Sequence, residues 1–100
     1  MGSPRPLTRK ELQTVLTRLP GWRYHDNRLS RSFEFQDFVE SLSFVNSLVA
    51  HFEAMDHHPD VTIAYDKVTF SLTSYDLGGK VTDRDVAAAK KITSTYGARR

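Results

Sequence analysis

The sequence predicts an α+β fold: a four-stranded antiparallel sheet with three helices packed on one face, in the order α-β-β-α-β-β-α. Two observations carry this. Apolar and polar residues alternate in two pairs of runs, folded back around Asp26-Asn27 and around Asp66-Lys67, which is the period of half-buried strands. Three other stretches place apolar residues at three- and four-residue spacing behind a Thr or Asp with an acid three positions on: Thr8 to Glu11, Asp37 to Glu40 and Thr82 to Asp85. Each hairpin has one apolar face, and helices on one side of a single sheet are the simplest way to cover both.

Residues 1–7, with Pro4 and Pro6, read as a flexible tail, and residues 8–97 as one domain. The first helix spans 8–18, carries Leu12, Val15, Leu16 and Leu19 at helical spacing, and is stopped by Pro20-Gly21. Trp22 and Tyr24, then Leu29, Phe33 and Phe35, form the apolar side of the first hairpin; Arg31 shares their parity and suggests a bulge or an edge position. Asp37 caps a long helix whose apolar stripe is Phe38, Leu42, Val45, Leu48 or Val49, Phe52 and Met55, closed by Pro59. Val61, Ile63 and Tyr65, then Val68, Phe70 and Leu72, give the second hairpin. After the loop Asp76–Lys80 a last helix carries Val86, Ala89, Ile92 or Thr93, and Tyr96, with Gly97 as its C-cap.

With 100 residues, 39% of them hydrophobic, the chain has enough for a single small core, so self-association is a reasonable expectation. Fourteen basic and 12 acidic residues are dispersed along it. The absence of cysteine excludes disulfides, thiolate metal sites and cysteine nucleophiles. No apolar run is long enough to span a membrane, and the first residues do not resemble a secretory signal. The expectation is a cytoplasmic protein.

The chemically dense stretch is His51–Asp60, with three of the four histidines and acids at Glu53, Asp56 and Asp60. If the long helix reaches His57, Glu53 and His57 share a face and the carboxylate can orient the imidazole. Three readings compete. The stretch is a solvated helix end; or it binds metal, though 57 and 58 point apart and no HExxH spacing exists; or its imidazoles perform acid–base work on a small molecule. Gly78-Gly79 lacks a phosphate-cradle pattern, Ser74 sits in no nucleophile elbow, Asp85 fits the third position of a capping box, and Arg99-Arg100 is too short to argue for nucleic-acid binding.

Glu53-x-x-x-His57-His58-Pro59 resembles the motif of the pterin-4a-carbinolamine dehydratase family. Gly21-Trp22, Phe33-x-Phe35-x-Asp37-Phe38, Tyr65-x-Lys67-Val68, Leu72-Thr73, Gly79 and Thr82-x-x-Asp85 follow in family order. The resemblance implies the same α+β fold, a homodimer or homotetramer, and no metal or other cofactor. It implies removal of water from 4a-hydroxytetrahydropterin to give quinonoid dihydropterin, a step of tetrahydrobiopterin recycling. His57 would be the principal acid–base group and His58 would bind and orient the pterin. Glu53 and Asp56 would support the imidazoles or the ring, with Pro59 and Asp85 completing the substrate-binding motif. Thr73 and Ser74 would offer backbone contacts to the pterin edge. Tyr75 stands where the family usually has a third catalytic histidine, and a phenol with a pKa near ~10 is a poor base at neutral pH. That departure keeps a second reading open: a weakened dehydratase-like binding or assembly module, akin to relatives that partner a transcription factor or assist RuBisCO assembly.

Overall fold

The computed structural model describes residues 5–98 and runs α1 (Arg9–Arg18), β1 (Arg23–His25), β2 (Arg28–Glu34), α2 (Phe38–Met55), β3 (Asp60–Ala64), β4 (Lys67–Leu72) and α3 (Asp83–Ala98). A 3₁₀ turn, Tyr75–Leu77, joins β4 to α3. Residues 1–4 of the expected 1–7 tail and the basic end Arg99-Arg100 lie outside the described residues. The strands form one antiparallel sheet in the order β1-β2-β4-β3. Both hairpin turns use left-handed backbone. Asp26 and Asn27 have φ of 50° and 62°, the tight turn whose twist matches the flanking strands. The second turn falls a residue earlier than the alternation predicts: Tyr65 has φ 57° and lies exposed outside the strand, and Lys67 opens β4.

Leu29 and Phe33 of β2 and Val68, Phe70 and Leu72 of β4 are buried under the helices, while Ser30, Ser32, Thr69 and Ser71 face the other way. Arg31 pairs with Phe70 in unbroken register, so no bulge accommodates it. Its guanidinium carbon lies 4.3 Å from the centre of the Phe33 ring, and it donates to Pro20 O at 3.3 Å. The core is aromatic at its centre. Phe33 packs against Trp22, Phe44, Phe70 and Tyr96, with ring centroids 4.8–6.1 Å apart. Trp22 is pinned to α3 by its indole N–H, which donates to Thr93 Oγ1 at 2.8 Å.

Two helices differ from the sequence pattern. The buried face of α2 is Ser41, Phe44, Leu48 and Phe52, whereas Phe38, Val39, Leu42 and Val49 are exposed. A helix rich in apolar residues on several faces does not say by period alone which face the sheet takes. α3 continues through Gly97 to Ala98. At the other end Arg5–Leu7 are docked: Leu7 N–H donates to Val81 O at 3.0 Å, and Pro6 bridges Thr82. Arg5 pairs with Glu11, which completes the capping box of α1 with Thr8. The guanidinium of Arg5 and the backbone N–H of Thr8 hold the Glu11 carboxyl at about 2. No helix among the described residues is long and apolar enough to cross a membrane.

Candidate active site

α2 ends before His57 and His58. Its last residue is Met55, and Asp56 caps it in the left-handed conformation, with φ 52° and ψ 43°. The cap is closed by Asp56 N–H to Glu53 O at 3.1 Å and His57 N–H to Phe52 O at 3.2 Å. This reversal sends the next two side chains into different environments. His57 turns inward and is only 6% exposed; His58 turns outward. The expected Glu53–His57 pair therefore does not form, because the helix does not reach 57. Glu53 instead pairs through Oε2 with His58 Nε2.

His57 meets Asp85, which is fully buried in the first turn of α3. His57 Nε2 lies 2.6 Å from Asp85 Oδ1. The other carboxylate oxygen accepts from Ser74 Oγ at 3.0 Å and from Thr82 N–H at 2.8 Å. Asp85 is thus both the capping-box acid of α3 and the partner of a buried imidazole. An acceptor at Nε2 places a proton there, so the neutral ring carries its lone pair on Nδ1. The arrangement fixes the ring's tautomer and orientation together.

His57 and His58 open onto a cleft of about 340 Å³, lined also by Asp56, Thr73, Tyr75, Asp76 and Arg84. That volume suits a small-molecule ligand. A larger groove of about 650 Å³ between α2 and α3 is lined by serines, threonine, Glu40 and Lys91 and holds no imidazole, so the chemistry points to the smaller cleft. Among the described residues, no group of three or more His, Asp or Glu is arranged to hold a metal ion.

Of the sequence candidates, Asp56, His57, His58, Thr73 and Tyr75 share this cleft. Glu53 and Asp85 stand behind the two imidazoles, and Pro59 turns the chain into β3. Ser74 differs from expectation. Its N–H donates to Lys80 O at 2.9 Å and its C=O accepts from Gly79 N–H at 3.0 Å, so its backbone is committed within the loop. Its hydroxyl braces Asp85 instead. Tyr75 opens the 3₁₀ turn rather than ending β4, and its hydroxyl donates to Asp60 at 2.6 Å. Sequence reading missed Asp76 and Arg84, which pair at 2.6 Å on the cleft wall. It also missed Arg28, which donates to the Tyr75 hydroxyl. Asp76 and Arg84 lie on different elements, and no local spacing signals their meeting.

The family model for pterin 4 alpha carbinolamine dehydratase matches residues 5–95. A Picosynechococcus sp. protein named for pterin-4-alpha-carbinolamine dehydratase is 48% identical over 79 residues, which is 79% of this chain and 85% of its own. One of the same name from Koribacter versatilis is 44% identical over 90 residues, 90% of this chain and 95% of its own. The crystal structure of a transcriptional coactivator/pterin dehydratase from Brucella melitensis superposes with a TM-score of 0.85 at 32% identity, covering 91% of this chain and 98% of that one. A pterin dehydratase-like protein identified as a RuBisCO assembly factor in the alpha-carboxysome shares the fold at a TM-score of 0.63 and 22% identity, over 78% of this chain and 92% of its own. By sequence and by fold, the chain belongs to the pterin 4 alpha carbinolamine dehydratase family.

Proposed function

We propose that the protein dehydrates a 4a-hydroxytetrahydropterin to the quinonoid dihydropterin, with His57 as the acid–base group. The observation that carries this reading is the buried His57–Asp85 pair opening onto the cleft. In the reaction the C4a–O bond breaks, a proton joins the departing hydroxyl to make water, and a ring N–H proton is lost as the C=N bond forms. An imidazole can supply the first proton and accept the second at neutral pH, and an acceptor behind Nε2 leaves Nδ1 as the working atom. His58, backed by Glu53 and exposed at the cleft mouth, binds and orients the ring. Asp56 and Thr73 line the same wall.

The test is stopped-flow dehydration of enzymatically generated 4a-hydroxytetrahydropterin. His57→Gln should lower kcat by about 10²–10⁴-fold in a folded protein, and His58→Ala should act mainly on KM. A wild-type rate no faster than the spontaneous reaction would remove the dehydratase assignment.

A second reading, association through an apolar surface, is supported by Phe38, Val39, Leu42 and Val49 standing exposed on α2. We assign that surface to a second copy of this chain, as a homodimer or homotetramer, because so small a domain gains most by extending its core this way. Sedimentation velocity decides it: a monomer at micromolar concentration would contradict the assignment, and Leu42→Glu should dissociate the oligomer.

A further inference from the structure

The phenol of Tyr75 is clamped between two opposite charges. Its oxygen donates to Asp60 Oδ2 at 2.6 Å and accepts from Arg28 Nη2. Arg28 also donates to the same Asp60 oxygen at 2.7 Å and to Ser71 Oγ at 3.0 Å. Its guanidinium carbon lies 5.3 Å from the centre of the Tyr75 ring. The three residues open three different elements: Arg28 begins β2, Asp60 begins β3 and Tyr75 begins the 3₁₀ turn. Of the three, Tyr75 lines the cleft.

The polarity of the contacts follows from the groups. A carboxylate only accepts and a guanidinium only donates. The phenol's one proton is therefore directed at Asp60, and one of its two lone pairs takes the Arg28 N–H. The second lone pair is what remains for a ligand. The clamp also sustains itself: the Tyr75 hydroxyl first, and Arg28 second, hold the Asp60 carboxyl below the usual carboxylate range.

We propose that Arg28 and Asp60 fix the phenol of Tyr75 as a hydrogen-bond acceptor toward the cleft, so that Tyr75 recognises an N–H or O–H of the bound pterin and takes no part in moving the reaction's protons. This rests on the dehydratase reading for the identity of the ligand; reduced pterins carry such donors on ring nitrogen, on the 2-amino group and on hydroxylated side chains. Tyr75 is then a specificity residue, and Arg28 and Asp60 are positioning residues acting through it.

The experiment compares Tyr75→Phe, Asp60→Ala, Arg28→Met and Arg28→Lys by dehydration kinetics and by calorimetric binding of 7,8-dihydrobiopterin. Tyr75→Phe should raise KM and Kd about three- to tenfold, the loss of one hydrogen bond, with kcat within about twofold and the pH midpoint of kcat unmoved. Asp60→Ala keeps the phenol but removes the acceptor of its proton, so the hydroxyl is free to rotate and donate into the cleft. This variant should raise KM and Kd to the same extent, which a merely structural role of Asp60 does not require. Arg28→Lys should restore part of what Arg28→Met loses. A fall in kcat at constant KM for Tyr75→Phe, a shifted pH midpoint, or wild-type KM and Kd in Asp60→Ala would overturn the proposal. An inactive wild type that still binds the dihydropterin counts against the dehydratase reading alone, because the Kd series then decides the acceptor role. A wild type that binds no reduced pterin overturns the acceptor proposal as well.

Discussion

Replacing Asp85 by Asn changes few atoms but inverts the polarity of one arm of a buried site. The carboxylate serves two sides: His57 Nε2 at 2.6 Å on Oδ1, and on Oδ2 the Thr82 N–H at 2.8 Å and the Ser74 hydroxyl at 3.0 Å. The Thr82 N–H cannot rotate, so the carboxamide oxygen is expected to turn there and its NH₂ to face His57. Two donors cannot share a hydrogen bond. The imidazole must then accept at Nε2 and carry its proton on Nδ1, which leaves a donor where the reaction needs a base. With charge assistance lost on two sides, stability should fall by about 1–3 kcal/mol. A domain holding about 5 kcal/mol that loses about 2 still remains more than about 99% folded, so unfolding cannot mimic a catalytic defect. Dehydration should drop by about 10²–10⁴-fold. Stopped-flow rates measure the loss, thermal melts the stability, and long-range ¹H–¹⁵N correlation the tautomer. Asp85→Ala, which strips the partner from a buried imidazole, should be less stable than the Asn variant, by about 3–5 kcal/mol relative to wild type. An Asn variant with wild-type kcat, or one whose His57 keeps its proton on Nε2, would refute the reasoning.

Three further outcomes are expected. Phe33→Ala removes the ring at the centre of the aromatic core and should lower stability by about 3–5 kcal/mol in urea titration, against less than about 1 for Gln13→Ala on the exposed side of α1. Gly21 has φ 89°, and a Cβ there would meet Arg31 Nε at 2.9 Å, so Gly21→Ala should cost about 1–2 kcal/mol in the same assay and weaken the Arg31 stacking. The Glu11 carboxyl titrates at about 2 in the fold against an ordinary 4.5. A depressed carboxylate stabilises above its unfolded pKa and loses that contribution as pH falls through the folded one. The Tm gap between wild type and Glu11→Gln should therefore be full at neutral pH and close between about 4.5 and 2. Because Glu11 is at the surface, added salt should narrow the gap. A gap constant across that range would contradict the assignment.

What the sequence made legible was local. The caps Thr8–Glu11 and Asp37–Glu40, alternation through Val68, Phe70 and Leu72, and the turn at Asp26-Asn27 each depend on neighbours within a few positions, and each has its structural counterpart. The site was legible to the extent that it is contiguous: Asp56, His57 and His58 do line one cleft. Three things were hidden. The face of α2 was ambiguous because Phe38 and Leu42 are as apolar as Phe44 and Leu48, and the sheet alone chooses between them. The end of α2 depended on Asp56 accepting left-handed backbone, which Asp does more readily than most residues but does not announce. The company of Tyr75 was set by strand register: Asp60 opposes Ser71, and Ser71 opposes Ser30, two residues from Arg28, which no single segment reveals.

The left-handed turn at Asp56 has a consequence for how this site can be re-engineered. It makes two adjacent codons answer to different selection pressures. Position 57 is governed by volume and by a hydrogen bond inside the protein, so substitutions there report on packing as well as on chemistry. Position 58 is governed by charge and reach at a wet surface, and can be randomised with little risk to the fold. A library that varies 58 together with Asp76 and Arg84 reshapes the mouth of the cleft while the turn and the buried pair behind it stay constant. Inserting one residue at 56 would shift His57 to the exposed slot, and deleting one would shift His58 to the buried slot, so in either case an imidazole leaves the partner it has now. Length variation is therefore expected to be tolerated far less at this junction than substitution.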